Sequence, residues 1–124
     1  MRSGHSNKSR NLAFRDEVII FLRDRGHLAA DSRPETKGLP FAERQARDTG
    51  DIVGLPWVLG VRCQQVIDLS GSLDEAATEA ERAAVGEYAS IQRRKGHPTE
   101  DAYVTMPLKV FSRVLEAWPH DAAV

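Results

Sequence analysis

The sequence predicts one α/β domain with a mixed central sheet flanked by helices. Apolar residues recur at helical spacing near both ends of the chain, an Ala- and Glu-rich helical stretch lies near the middle, and short β-branched or aromatic runs separated by turn residues fill the intervals. Helices separated by pairs of strands, without regular βαβ units, favour a sheet with both parallel and antiparallel neighbours. At 124 residues the chain has the length of a single domain.

The N-terminal part divides into an arm and a helix. Residues 1–11 are polar, basic and without periodicity, which predicts a disordered arm ahead of a domain over residues 12–124. The arm either contacts phosphate or serves as a solubilising tail. Residues 11–25 carry apolar side chains near helical spacing and end before Gly26, which predicts the first helix.

Strands are predicted next. Residues 27–50 are rich in Pro, Gly and charge, and we expect loop there with one short strand around residues 41–45. Residues 51–53 and 57–61 predict two strands joined by the Gly54-Leu55-Pro56 turn.

The second half predicts a helix, two strands and a last helix. Asp68 or Ser70 can cap the Ala- and Glu-rich helix, which ends near Gly86. Strands are expected at residues 88–92 and 103–106 on either side of a basic turn, and Pro107 opens the final helix. The predicted order is therefore helix, three strands, helix, two strands, helix.

Charge and cysteine content limit the function classes. Lys and Arg balance Asp and Glu to a net charge of −1, so a nucleic-acid interaction must depend on local patches. Residues 1–49 contain ten Lys or Arg and seven Asp or Glu. Residues 50–124 contain seven Lys or Arg and eleven Asp or Glu. One cysteine excludes an internal disulfide framework, and no apolar run is long enough to span a bilayer. A cytoplasmic protein without a membrane partner is expected.

Asp51 is the residue that most resembles part of a metal site. It follows a glycine at the edge of a predicted strand, and Mg²⁺ is commonly held by one or two carboxylates with water and phosphate oxygens. Alternate residues of the next strand share a face, so positions 60 and 62 are expected on the same side. They are Gly60 and Arg62. From the residues alone, Asp51 is more commonly a turn residue than a metal ligand.

Five stretches, in order and at matching spacing, resemble the Holliday junction resolvase-like nucleases of phages and actinobacteria. They are "GDIVGLP", "VLGVR", "DLSGSLDEA", "IQRRKG" and "YVTMPL", which begin at residues 50, 58, 68, 91 and 103. These nucleases belong to the PD-(D/E)xK, restriction-endonuclease-like superfamily. The resemblance implies an αβββαβ core with a mixed sheet, DNA as the partner and Mg²⁺ or Mn²⁺ as the cofactor.

Carried over to this chain, the metal-binding aspartate of that family is Asp51. The second metal-binding carboxylate falls on Gly60, which has no side chain, and the catalytic lysine falls on Arg62, whose guanidinium does not readily deprotonate. An acid that many relatives place on the first helix falls on Arg15. The resemblance thus implies Asp51 and Arg62 as the catalytic residues of a depleted motif.

The basic turn is the expected DNA contact. Arg93, Arg94 and Lys95 persist there, with Gln92 and Arg93 in place of the usual His and Lys, and Arg15 adds a further cation. A solvated turn is the alternative interpretation of these charges.

Two main functions are consistent with these residues. One is a metal-dependent, structure-specific endonuclease for branched DNA, in which Asp16, Glu17 or Asp68 substitutes for the missing carboxylate. The other is a catalytically inactive pseudo-nuclease that binds DNA. Relatives that act on four-way junctions are commonly dimers, so a homodimer through the Ala-rich helix, residues 73–85, is a third possibility, although core packing is the more common role of such alanines.

Overall fold

The computed structural model describes residues 3–118, with a mixed five-stranded sheet and helices packed against it. The helices are α1 (Ser3–Asp24), α2 (Phe41–Ala46), α3 (Leu69–Ala83) and α4 (Leu108–Ala117). The strands are β1 (Asp31–Ser32), β2 (Ile52–Val53), β3 (Val58–Arg62), β4 (Tyr88–Gln92) and β5 (Tyr103–Thr105). This confirms the predicted α/β class with a mixed sheet.

The strands lie in chain order across the sheet, β1-β2-β3-β4-β5. The β3–β4 pair is parallel, with Arg62 opposite Gln92, and the other three pairs are antiparallel. Helix α3 makes the crossover that a parallel pair requires. Antiparallel pairing of Ile52 with Leu59 confirms the two strands predicted around the Gly-Leu-Pro turn.

The two faces of the sheet carry different residues. Leu59 and Val61 on β3, with Ala89 and Ile91 on β4, pack against the apolar face of α1, where Phe14 is almost fully buried. The alternate positions of β3, Gly60 and Arg62, lie on the opposite face, and α3 packs against β3 and β4. The apolar core is therefore centred on the α1 face.

Helix α3 begins as predicted. The side chain of Asp68 accepts a hydrogen bond from the Gly71 N–H at 2.9 Å, which satisfies one of the donors left free at a helix start. Ala76 and Ala80 are buried against the sheet. Of the alanines in residues 73–85, Ala76 and Ala80 therefore pack in the core, whereas Ala77 and Ala83 are only partly buried and Ala84 is exposed.

Two predictions for the first half differ from the structure. Residues 41–45, expected as a strand, lie in α2, where the Pro40 carbonyl accepts from the Arg44 N–H. The edge strand beside β2 is instead β1, Asp31–Ser32, which comes from a segment expected to be loop. Neither strand of this antiparallel pair exceeds two residues, so it has no alternating pattern to detect.

The expected arm also differs. Helix α1 begins at Ser3, so residues 3–11, predicted to be disordered, are helical. Asn11 at the end of this segment accepts a hydrogen bond from the Cys63 N–H at 2.7 Å. This hydrogen bond joins residues 52 positions apart and ties α1, at Asn11, to the residue that follows β3. Residues 1–2 of the expected arm lie outside the described residues.

No helix within residues 3–118 combines the length and apolar character needed to cross a bilayer.

The Gly54 turn gives a first test. Gly54 has φ +93°, and a Cβ at this position would lie 1.9 Å from the Ala29 carbonyl oxygen. Gly26 has a similar φ of +99°, but a Cβ there would meet nothing within 4 Å. We expect Gly26→Ala to cost about 1 kcal/mol of unfolding free energy through backbone strain, and Gly54→Ala to cost about 3 kcal/mol or more. Urea denaturation measures both, and equal losses would contradict the close approach of Ala29.

Candidate functional site

Asp51 lies immediately before β2, with its side chain against the end of β3. Its carboxylate oxygen Oδ2 accepts hydrogen bonds from the Val61 N–H at 2.8 Å and from Arg62 Nη1 at 3.3 Å. Its own N–H donates to the Leu59 carbonyl at 2.8 Å, which fixes the backbone beside β3. Asp51 is therefore held by the strand that carries Gly60 and Arg62.

Arg62 joins three parts of the fold. Its Nη1 contacts Asp51 and donates to the Val61 carbonyl at 2.9 Å, while its Nη2 forms an ion pair with Glu75 of α3. Only 15% of the side chain is exposed. The guanidinium thus occupies the space between the start of β2, the end of β3 and α3.

Gly60 faces this guanidinium. A Cβ built on Gly60 would lie 3.9 Å from Arg62 Nη1, with no other heavy atom that near. This confirms that positions 60 and 62 share a face, as the alternation of a strand predicts. A longer side chain at position 60 would extend toward the volume that Arg62 fills.

The residues around Asp51 do not fit a Mg²⁺ or Mn²⁺ ion in this arrangement. Such ions require several oxygen ligands. Oδ2 of Asp51 is already engaged by two donors, Gly60 offers no ligand, and the group beside them is a cation. Among residues 3–118, no cluster of three or more Asp, Glu, His or Cys side chains is arranged to hold a metal.

The three acids expected to substitute for the missing carboxylate make contacts elsewhere. Asp16 pairs with the neighbouring Arg15 at 3.0 Å. Glu17 accepts a hydrogen bond from the Thr99 hydroxyl at 2.7 Å. Asp68 caps α3.

The acids that do surround Arg62 come from α3 and from the loop before Asp51. Glu75 pairs with Arg62 directly, and Glu79, one turn further along α3, interacts electrostatically with Asp48, Asp51 and Arg62. Sequence reasoning missed these acids. The available signal was the i, i+4 spacing of Glu75 and Glu79 beside Ala76 and Ala80, on a helix that must cover the sheet.

Glu79 has a raised pKa. The residue is only 9% exposed, and this burial is the main cause. A hydrogen bond and charge repulsion from Asp48, and repulsion from Asp51, add to it; Arg62 partly opposes them, and the pKa rises to about 8, so the neutral form is favoured at neutral pH. A protonated carboxyl can donate to Asp48, but within the described residues its Oε1 has no hydrogen-bond partner. Burial between acids therefore keeps this group neutral.

Asp48 connects the acids to further arginines. It pairs with Arg33, and Arg82 of α3 lies 3.6 Å from its carboxylate and donates to its backbone carbonyl at 3.2 Å. The two acids Asp48 and Glu79 thus lie next to each other, between Arg33 on one side and Arg62 on the other.

Arg15 lies at the rim of an open depression that reaches Asp51. The depression measures about 430 Å³. Its cations come from α1 and from the two segments that follow it in the chain, and they are Lys8, Arg15, Arg33, Lys37 and Arg44, against the acids Glu35 and Asp51. We call this surface the Asp51 depression. The structure therefore brings predicted Arg15 and Asp51 to one strongly basic surface.

The basic turn divides between two environments. Arg93 and Lys95 line a second depression of about 260 Å³ together with Arg10 of α1. We call it the Arg93 depression. Arg94 instead lies over the ring of Tyr103, 5.5 Å from its centroid. Two of the three DNA contacts predicted in this turn thus share a surface, and the third, Arg94, stacks on Tyr103 of β5.

Helix α1 contributes to both depressions. Lys8, Leu12 and Arg15, at i, i+4 and i+7, line the Asp51 depression, whereas Arg10 lines the Arg93 depression. The Arg93 N–H donates to the Arg62 carbonyl at 2.9 Å, so the second depression begins where β3 ends.

Comparison of the chain with protein-family models, with curated proteins and with solved structures found no match.

The Asp51–Arg62 contact can be measured by a double-mutant cycle. Because Arg62 is mostly buried, removing one partner leaves the other poorly solvated, and we expect a coupling energy of about 1–3 kcal/mol between Asp51→Ala and Arg62→Ala. The exposed Arg23–Asp31 pair, at 3.2 Å, is the control and should couple by less than about 1 kcal/mol. Urea denaturation of each set gives both energies. A coupling no larger than the control would show that the buried bridge is not formed.

Glu79 predicts a specific pH dependence of stability. Between the ordinary carboxyl pKa of 4.5 and about 8, the folded protein holds a proton that the unfolded chain releases. The contribution of Glu79 to the free energy of unfolding is therefore full below pH 4.5 and is lost as pH rises toward 8. Glu79→Gln, which mimics the neutral acid, should flatten the pH profile of unfolding over this window. Glu81 is exposed, so Glu81→Gln is the control and should show the same dependence of unfolding free energy on pH as the wild-type protein. Equal slopes in the wild-type protein and both variants would contradict the raised pKa of Glu79.

Proposed function

We propose that this protein is a DNA-binding module of restriction-endonuclease-like architecture in which an arginine replaces the catalytic metal ion. The observation that carries the proposal is the position of the Arg62 guanidinium, between Asp51 and Glu75 and in front of Gly60. A positive charge thus lies among the acids where, by the resemblance, a divalent cation would lie.

The chemistry of this cation favours binding over hydrolysis. A guanidinium stays protonated at neutral pH, so it cannot act as a base toward water, and it cannot coordinate a water molecule as a metal does. It does neutralise Asp51, which would otherwise repel a phosphate in the depression. The protonated Glu79 adds no negative charge at neutral pH. The acids at this site are therefore compatible with a bound phosphate backbone.

The surface around Asp51 supports a polyanionic partner. Five cations line the Asp51 depression, and Arg10, Arg93 and Lys95 line the Arg93 depression. Contacts of this kind to DNA phosphates give affinity that falls with salt and carries little sequence information. Branched or four-way-junction DNA is the substrate class that the motif resemblance implies.

A metal-dependent endonuclease is the second candidate, and Glu79 favours it. This buried carboxyl interacts with Asp51, and its Oε1 has no hydrogen-bond partner among the described residues. An active enzyme would need Asp51 and Glu79 to act together after Arg62 has moved from between the acids. Glu79 is thus the substitute carboxylate to test, in place of Asp16, Glu17 or Asp68.

DNA binding is tested by fluorescence anisotropy with a labelled four-way junction and a labelled duplex, in EDTA and at several salt concentrations. We expect binding without metal. Arg15→Ala and Lys37→Ala should weaken it, and each lost phosphate contact should lower the slope of log affinity against log salt by about 1. Lys109→Ala, which removes an exposed cation of α4, is the matched control and should bind as wild type does. Absence of binding to both DNAs would overturn the proposal.

Cleavage separates the two candidates. With Mg²⁺ or Mn²⁺ the wild-type protein should leave the junction intact, and Gly60→Glu with Arg62→Lys, which returns the acid and the lysine, should introduce metal-dependent nicking. Arg62→Lys alone is the control and should remain inactive. Wild-type cleavage that both Asp51→Ala and Glu79→Gln abolish would establish the second candidate instead.

A further inference from the structure

Helix α4 exposes an apolar stripe. Val110 is fully buried, and on the adjoining side Arg113 contacts the Glu87 carboxylate and donates to the Gly86 carbonyl at 2.8 Å. Four large apolar residues of the last helix and its C-cap nevertheless remain exposed: Leu108 (80%), Phe111 (44%), Leu115 (45%) and Trp118 (65%). We call this set the α4 stripe.

The α4 stripe has a spacing that reads the same in both directions. Its members are separated by three, four and three positions, which places them on one face of a helix. Position 113 is the centre of this pattern. A second α4 that runs antiparallel about this centre would place its Leu108 opposite Trp118, and its Phe111 opposite Leu115.

A pocket lies at the Trp118 end of the stripe. It measures about 370 Å³, and Trp57, Val114, Ala117 and Trp118 supply its apolar wall. In the antiparallel arrangement, the Leu108 side chain of a second copy arrives beside this pocket. The most exposed residue of the stripe would thus lie against an apolar wall of the other copy.

The exposed area of the α4 stripe matches that of a protein interface. At roughly 150–250 Å² for a fully exposed side chain of this size, the four exposed fractions amount to about 450 Å². A standard interface buries about 800 Å² on each partner, of which about 57% is apolar, again about 450 Å². The largest apolar patch on a typical monomeric protein measures roughly 300–600 Å² and is often functional, so the α4 stripe has the size of such a patch.

We propose that the α4 stripe is the interface of a homodimer in which two α4 helices pack antiparallel about a two-fold axis that crosses the stripe at the level of position 113. The spacing of the stripe, the pocket beside Trp118 and the exposed area each favour a second copy of this chain as the occupant. In such an interface one patch serves both subunits, and each contact occurs twice. This inference does not depend on DNA binding.

Analytical ultracentrifugation of the full chain tests the proposal. We expect the wild-type protein to sediment as a dimer. Leu108→Glu and Phe111→Glu should each weaken the dimer by roughly 100-fold or more, because each buries a charge twice across the two-fold axis. Leu28→Glu is the matched control, since Leu28 is 76% exposed outside α4, and should leave the dimer intact.

Two results would overturn the proposal. They are a wild-type protein that remains monomeric at every concentration, and a dimer that survives both α4 substitutions. Circular dichroism establishes that each variant is folded. Leu108 is so exposed that Leu108→Glu remains informative even if Phe111→Glu fails to fold.

Cross-linking tests the antiparallel geometry. In a Cys63→Ser background, a mixture of Phe111→Cys and Leu115→Cys proteins should cross-link to each other through a short bismaleimide more than either links to itself. Positions 111 of the two copies are offset by about 6 Å along the helix axes, whereas 111 and 115 face each other. Preferential self-linking of Phe111→Cys would overturn the proposed arrangement.

Discussion

The guanidinium of Arg62 connects the sheet to the helix that covers it. It lies at the end of β3, contacts Asp51 before β2 and pairs with Glu75 of α3. Without this cation, the partly buried Asp51 and the buried Glu79 would face each other with little access to water, and repulsion between them would oppose the packing of α3 on the sheet. The glycine at position 60 leaves room for this arginine beside the strand.

Charge is neutralised in two ways within this cluster. Arg62 compensates Asp51 and Glu75 directly, and Glu79 takes up a proton because it is buried between Asp48 and Asp51. Arg33 and Arg82 compensate Asp48 on the far side. Of the five cations of the Asp51 depression, Arg33 is thus paired with Asp48 and Arg15 with Asp16, so the positive potential at its mouth comes mainly from Lys8, Lys37 and Arg44.

The two proposed contact surfaces lie at opposite ends of the parallel strand pair. The pocket beside the α4 stripe includes Trp57 and Glu87, which immediately precede β3 and β4, whereas the Arg93 depression includes Cys63 and Arg93, which immediately follow them. Five residues of strand separate these ends by about 16 Å. A dimer formed through α4 would thus leave the Arg93 depression accessible, and its two copies would present it around a two-fold axis.

Sequence alone determined the elements whose signals are local. The Asp68 cap of α3, Pro107 before α4, the hydrophobic strands β3 and β4, and the shared face of Gly60 and Arg62 all follow from spacing and propensity within a few residues. Tertiary contacts decided the rest. The two-residue strand β1 exists through its pairing with β2, and Asn11 at the end of the expected arm is bonded to Cys63, 52 positions away. Likewise, Glu75 and Glu79 reached the site because α3 crosses over β3, which brings acids distant in sequence around one arginine.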